Sequence, residues 1–165
     1  MIDEISKNLL KQIANLHEIP NGAVSFRKNG KGQILKSTAN IEIRKKKGCE
    51  GIEVFVHSTC QGEACHIPVV VSKNGFMDLV YNDFYVEDGA NVVIVAGCGV
   101  HSEGGESGHD GIHTFHIGKH AKVEYVENHI AVTGSCRCSG GVVHRLSGNI
   151  SGGGVSNGIR SIRSG

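Results

Sequence analysis

This chain contains the line Phe84-Tyr85-Val86-Glu87-Asp88-Gly89-Ala90-Asn91-Val92-Val93-Ile94-Val95, which returns 31 positions later as Phe115-His116-Ile117-Gly118-Lys119-His120-Ala121-Lys122-Val123-Glu124-Tyr125-Val126. Phenylalanine, alanine and two valines keep their places, and Ile117 stands where the first copy has Val86. A repeated strand–turn–strand unit cannot bury its apolar face alone. The repeat therefore predicts copies that stack on one another in a mainly β fold.

The spacing of apolar residues assigns the elements around the repeat. Residues 3 to 17 have apolar side chains every three or four positions, which predicts an amphipathic helix that ends before Pro20. The polar stretch from Phe26 to Lys36 predicts a loop or a weak hairpin. From Ile41 onward the period is two, which predicts strands, and the run 67–71 predicts a strand buried on both faces. The glycine-rich segment 98–111 predicts a long loop.

Composition limits the classes of function. Basic and acidic residues number 17 and 16, so a general affinity for nucleic acid or an anionic membrane has no electrostatic support. The sequence shows no signal-peptide pattern and no apolar run as long as a membrane span. We therefore expect a cytoplasmic protein. Its six cysteines are then expected to be free thiols or ligands, because cytosolic thiols stay reduced.

The best candidate for a binding site is a group of one cysteine and three histidines: Cys98, His101, His109 and His113. Thiolate and imidazole are ligands that zinc, iron and iron–sulfur centres accept. A glycine-rich loop that folds back would bring these four residues together. The alternative is that residues 109–111 form a turn and that Cys98 is a small buried apolar residue.

Two other metal patterns are weaker. A cupin-like site would use His109, His113 and His116, but His113 and His116 have opposite strand parity. The spacing of Cys60 and Cys65 lacks a second cysteine pair at zinc-ribbon distance, which favours structural thiols. No phosphate-binding glycine motif and no nucleophile elbow is present, so we expect a protein that is not an enzyme.

The sequence changes character after Glu127. Residues 128–165 contain no Asp, Glu, Lys or aromatic residue, and no stable period of two. This composition predicts an irregular tail that buries too little apolar surface to order itself. The simultaneous loss of three charged residue types also suggests a shifted reading frame. If neither other frame of the coding DNA continues the repeated line, the frameshift hypothesis is wrong.

Several blocks, taken in order, resemble the SufB/SufD family of scaffold proteins in the SUF system for iron–sulfur cluster assembly. They are Cys65-His66-Ile67-Pro68-Val69-Val70-Val71, Val80-Tyr81-Asn82-Asp83-Phe84-Tyr85-Val86, Val95-Ala96-Gly97-Cys98-Gly99-Val100-His101, and His109-Asp110-Gly111-Ile112-His113-Thr114-Phe115 through Tyr125-Val126-Glu127. The resemblance extends to about His129 and is nearest to the compact prokaryotic and archaeal members.

The resemblance implies a right-handed parallel β-helix core with a short N-terminal helix. It divides the chain into an N-terminal helix and loop (1–40), a partial β-helix core (41–127) and the tail (128–165). It also implies a transient iron–sulfur cluster, a second SufB/SufD-like subunit and a SufC-like ATPase as partners. Family members are longer than this chain, so the resemblance further implies a truncated form that lacks the SufC-docking region.

Overall fold

The architecture was obtained as a computed structural model, which describes the backbone of residues 2–14, 21–131, 136–146 and 158–163 and the side chains of residues 2–11 and 21–131. The chain is mainly β. Its elements, in order, are α1 (Glu4–Ala14), β1 (Ala23–Lys28), β2 (Lys31–Lys36), β3 (Ile41–Lys45), β4 (Ile52–Val56), β5 (Gln61–Val71), β6 (Met77–Val86), β7 (Asn91–Val100), β8 (Ser107–Ile117), β9 (Lys122–Ala131), β10 (Cys136–Leu146) and β11 (Gly158–Arg163).

The strands form two sheets that face each other. The first has the order β11-β9-β7-β5-β1-β2 and the second the order β10-β8-β6-β4-β3. From β5 to β10, consecutive strands alternate between the sheets, and each pairs in parallel with the strand two places along the chain. Antiparallel pairs occur at β1–β2, β3–β4 and β9–β11.

The sequence repeat corresponds to neighbouring strands, as predicted. Phe84 of β6 pairs with Phe115 of β8, and their rings stack with centroids 4.6 Å apart. Ile94 of β7 pairs with Tyr125 of β9 in the other sheet. All four side chains are buried between the sheets. The stacking of the two copies therefore forms the centre of the apolar core.

The first strands and the helix follow the predicted pattern over the described residues. Helix α1 covers residues 4–14, and the predicted end at 15–17 lies outside the described residues. The stretch predicted as a loop or weak hairpin is a β1–β2 hairpin, whose turn at Asn29 and Gly30 has positive φ angles of 48° and 77°. The division at residues 40 and 127 stays a prediction.

Helix α1 covers the outer face of the first sheet. Leu9 and Leu10 pack with Val24, Phe26 and Val70 in a second apolar cluster. A Cβ at Gly99 would lie only 3.0 Å from the Cβ of Leu9, so glycine lets the helix approach the strand closely.

Two sequence-based expectations are wrong. The segment 98–111 is not one long loop, because β7 continues to Val100, β8 begins at Ser107, and only residues 101–106 connect them. Gly99 and Gly111 lie within these strands, where they allow close packing and do not mark a loop. The tail is also not irregular throughout, since β10 extends β8 and β11 extends β9. An open sheet edge offers main-chain hydrogen bonds whatever the side-chain composition of the strand that joins it.

Candidate functional site

One half of the space between the sheets is polar. Inward positions on three strands carry Asp78 and Asn82 (β6), His109 and His113 (β8), and Glu127 (β9), and each of these residues is at most 8% exposed. Together with Cys98 and His129, most of them line a cavity of about 20 Å³. A space of that size holds about one water molecule. Buried polar groups at this density must find their hydrogen-bond partners among one another, and they therefore form a network.

An arginine, a carboxylate and an imidazole form the first part of the network. Arg27 of β1 donates from Nε and Nη2 to the two carboxylate oxygens of Asp78, at 2.8 and 2.9 Å, and from Nη1 to Glu50 at 2.9 Å. His109 Nδ1 lies 3.3 Å from Asp78 Oδ2, in a less well-aligned contact. Burial alone would raise the pKa of Asp78, but His109 and Arg27 outweigh it and lower that pKa to about 2.

The same contacts assign the tautomer of His109. A carboxylate of such low pKa only accepts hydrogen bonds, so the imidazole proton belongs on Nδ1, toward Asp78. In the neutral form of the ring, the Nε2 atom of His109 then carries a lone pair. This carboxylate–imidazole pairing is the usual way in which a protein orients a histidine that acts as a base or a ligand.

His113 has the opposite tautomer. The main-chain N–H of Ile52 donates to Asn82 Oδ1 at 3.1 Å, which fixes the orientation of the Asn82 amide. Its Nδ2 atom therefore donates to His113 Nδ1, 3.3 Å away. Burial lowers the pKa of His113 to about 4, so the ring is neutral near pH 7. Its single proton is then on Nε2.

The two histidines converge above Gly111. An added Cβ at Gly111 would lie 3.0 Å from His113 Nε2 and 3.5 Å from His109 Nε2. The pair presents one N–H donor and one lone-pair acceptor to the same small space. The cavity beside them has room for about one water molecule, which would satisfy both rings. Glycine at this position is required for the convergence.

A second carboxylate–imidazole pair lies on β9. His129 Nε2 is 3.1 Å from Glu127 Oε1. Burial would raise the pKa of Glu127, but the hydrogen bond and charge of His129, with smaller effects from His113 and Tyr125, lower it. Glu127 therefore stays ionised inside the cavity.

The structure brings together three of the four predicted site residues. Cys98, His109 and His113 line the same cavity, whereas His101 lies beyond the end of β7, with its Nε2 3.9 Å from Glu103. The expectation of free thiols is confirmed for Cys49, Cys60 and Cys65 but is wrong for Cys98, which is disulfide-bonded. A thiolate at Cys98 therefore requires prior reduction.

The cupin-like trio does not meet. His113 faces the interior, whereas the ring of His116 stacks on Tyr85 on the outer face, with centroids 4.6 Å apart. Cys65 is a fully buried thiol whose pKa burial raises to about 12, in agreement with a structural role. Among the described side chains, no three His, Cys, Asp or Glu residues are placed to hold a metal ion.

The sequence patterns did not predict five residues of the network: Arg27, Asp78, Asn82, Glu127 and His129. A usable signal was present, because Asp78 and Asn82 have the same strand parity as Phe84, which the repeat assigns to the core. Glu127 likewise shares the parity of Tyr125. A polar residue at an inward position marks a buried polar site.

Comparison with known proteins adds no relative. No family model, no curated protein sequence and no solved structure matches this chain. Across the described residues, no helix has the length and apolar character needed to cross a bilayer. The function must therefore be argued from the residues themselves and from the family resemblance.

The buried neutral His113 predicts a loss of stability in acid. Its folded pKa of about 4 lies below the ordinary value of 6.5, so the unfolded chain takes up a proton first as the pH falls. The contribution of the neutral ring to the free energy of unfolding is fully present above pH 6.5. It declines as the pH falls toward 4, by about 3 kcal/mol in total.

Urea unfolding at pH 7 and pH 4 measures this effect. The decrease in unfolding free energy is expected to be about 3 kcal/mol smaller in His113→Gln than in the unaltered chain. His120→Asn, at an exposed turn position, is the control for loss of an imidazole. The same pH dependence in the unaltered chain and His113→Gln would contradict the prediction.

Proposed function

We propose that this chain is a non-catalytic scaffold subunit of the SufB/SufD type that acts in the cytoplasmic assembly of iron–sulfur clusters. The observation that carries the proposal is the connectivity from β5 to β10, in which strands alternate between two sheets and pair in parallel with the strand two places on. Two facing parallel sheets connected in this order are what a parallel β-helix requires. We take the core to be a right-handed parallel β-helix with 31 residues between the paired phenylalanines.

The polar interior is the first place to consider for the cluster. It contains the kinds of donor that iron accepts: a cysteine, three imidazoles and a carboxylate, at Cys98, His109, His113, Glu127 and His129. However, iron–sulfur clusters are held mainly by thiolates, and among the described side chains that line the cavity the one cysteine is Cys98, which is disulfide-bonded. A cavity of about 20 Å³ is also too small for a cluster.

The interior as described therefore does not fit a cluster. In the proposed role the cluster is cargo of the scaffold, and it does not pass through the cavity. A second SufB/SufD-like subunit would supply further ligands, and a SufC-like ATPase would be the third partner. Both partners come from the family resemblance.

Anaerobic reconstitution tests the scaffold role. The reduced chain is incubated with ferrous iron and sulfide, alone and together with a full-length SufB/SufD-type subunit, and its visible absorption is recorded after desalting. We expect weak colour from the chain alone and stronger colour from the pair. Cys98→Ser, which removes the cavity thiol, and Cys65→Ser, which alters a buried core thiol, are both expected to leave the colour unchanged, because the cluster does not enter the cavity. A colourless product in both preparations contradicts the proposal.

A cupin-like metal-binding protein that uses His109, His113 and His116 is the second function considered. The separation of His113 and His116 on opposite faces of β8 disfavours it. Metal analysis of protein purified without added metal distinguishes the two functions. One mononuclear metal ion per chain would favour the cupin-like alternative.

A further inference from the structure

A cleft opens beside the polar network, at the end of the fold formed by the first strands. Its volume is about 650 Å³, which is within the range of small-molecule sites. It shares Ile67, Val69 and Asn82 with the wall of the interior cavity. The cleft therefore borders the polar network, and Arg27 and Asn82 of the network form part of its wall.

The cleft lies where the end strands of the two sheets, β2 and β3, both contribute to its wall. Strand β2 is hydrogen-bonded to β1 and has mostly exposed side chains. Leu35 lies opposite Ser25 of β1 and faces the cleft, and a bulge at Gln33 interrupts the alternation of β2. Lys31 pairs with Lys28 beyond the bulge and lines the cleft from the hairpin end. Leu35 is 51% exposed, which is unusual for a leucine that faces other apolar side chains.

The body of the cleft is apolar. Ile34 and Leu35 come from β2, and residues of three further strands complete the wall: Ile52, Ile67, Val69 and Val80. The polar side chains at the floor are already committed. Arg27 is bonded to Asp78 and Glu50, and Asn82 is bonded to Ile52 and His113.

The rim of the cleft has uncompensated positive charge. Lys31 and Lys45 both line it and are both exposed. Neither forms an ion pair with a carboxylate in the described part of the chain, whereas neighbouring Lys46 pairs with Asp83. Glu50, which also lines the cleft, shares the Arg27 guanidinium with Asp78, so Lys31 and Lys45 leave one net positive charge at the cleft. An apolar cavity with two free ammonium groups at its mouth complements an anion with an apolar body.

We propose that this cleft binds an amphipathic carboxylate, with its apolar body against Leu35, Ile52 and Val80 and its carboxylate between Lys31 and Lys45. The carboxylate compensates the two ammonium groups, and the body covers the exposed apolar face of β2. This site is independent of the scaffold role, because it uses none of the cavity histidines.

Fluorescence titration with dansyl-labelled undecanoic acid tests the site. The chain contains no tryptophan, so the dansyl signal is free of that background. We expect saturable binding, and roughly tenfold weaker binding for the double variant Lys31→Glu/Lys45→Glu. The double variant Lys47→Glu/Lys119→Glu changes the net charge equally at exposed positions outside the cleft, and it is expected to bind like the unaltered chain.

The methyl ester of the probe separates the two contributions without any variant. It retains the apolar body and loses the negative charge, so we expect it to bind roughly tenfold more weakly than the acid. Equal affinity of acid and ester, or equal weakening by both double variants, would indicate apolar adsorption only and would overturn the proposal. Absence of saturable binding would also overturn it.

Discussion

Replacement of Asp78 by asparagine is expected to lower the free energy of unfolding by about 3–5 kcal/mol. The Arg27 side chain is 14% exposed and depends on Asp78 for two of its three charge-assisted hydrogen bonds. Asparagine keeps the shape but removes the negative charge, so a guanidinium remains buried with only the exposed Glu50 as counter-charge. His109 also loses the carboxylate that orients its ring.

Asp83→Asn is the matched control for this substitution. It makes the same chemical change on the same strand, but Asp83 pairs with Lys46 at the outer face. The Lys46 and Asp83 side chains are 22% and 15% exposed, against 14% and 4% for Arg27 and Asp78, so a smaller loss of about 1 kcal/mol is expected there. Chemical denaturation of both variants near pH 7 measures the difference. Equal, small losses in the two variants would show that the Arg27–Asp78 pair is not a buried ion pair.

Replacement of Phe115 by alanine is expected to cost about 3–5 kcal/mol. The Phe115 ring is fully buried, stacks on Phe84 with centroids 4.6 Å apart, and meets Tyr125 edge-on with centroids 5.6 Å apart. Its removal leaves a cavity at the contact between the two sheets. The neighbouring rings are held by paired strands and close such a cavity only in part.

Phe55→Ala provides the comparison on the outer face of the same sheet. Phe55 also stacks on an aromatic ring, that of Tyr85 at 5.0 Å, but it is partly exposed. Its loss is expected to cost about 1 kcal/mol, since less apolar area is buried and no closed cavity forms. Thermal or urea unfolding of Phe115→Ala and Phe55→Ala measures the two losses in unfolding free energy. Comparable losses would mean that the repeat does not form the core.

Much of the fold could be predicted because the repeat indicates both which side chains face inward and which positions stack. Period-two alternation around Phe84 and Phe115 indicates which side chains face inward, and the fixed 31-residue spacing predicts that they stack. The sequence did not show which strands pair in which sheet, since strand parity contains no information about neighbours. Gly99 and Gly111 were misleading, because glycine serves close packing as well as loops.

The candidate site was predicted only in part. The histidine and cysteine residues were found by residue type, which identified Cys98, His109 and His113 but also His101, which lies apart. The carboxylates were missed because Asp78 and Glu127 are remote in sequence from those histidines and are brought near by strand pairing. Polar residues at inward parity were the available signal.

The buried polar network depends most directly on the opposite tautomers of His109 and His113. Long-range proton–nitrogen correlation spectra of the ¹⁵N-labelled chain near pH 7 report which ring nitrogen of each histidine carries the proton. The network predicts Nδ1–H for His109, assigned by loss of its signals in His109→Gln, and Nε2–H for His113, assigned by loss of its signals in His113→Gln. The same tautomer for both rings, or the averaged shifts of freely exchanging surface imidazoles, would contradict the network.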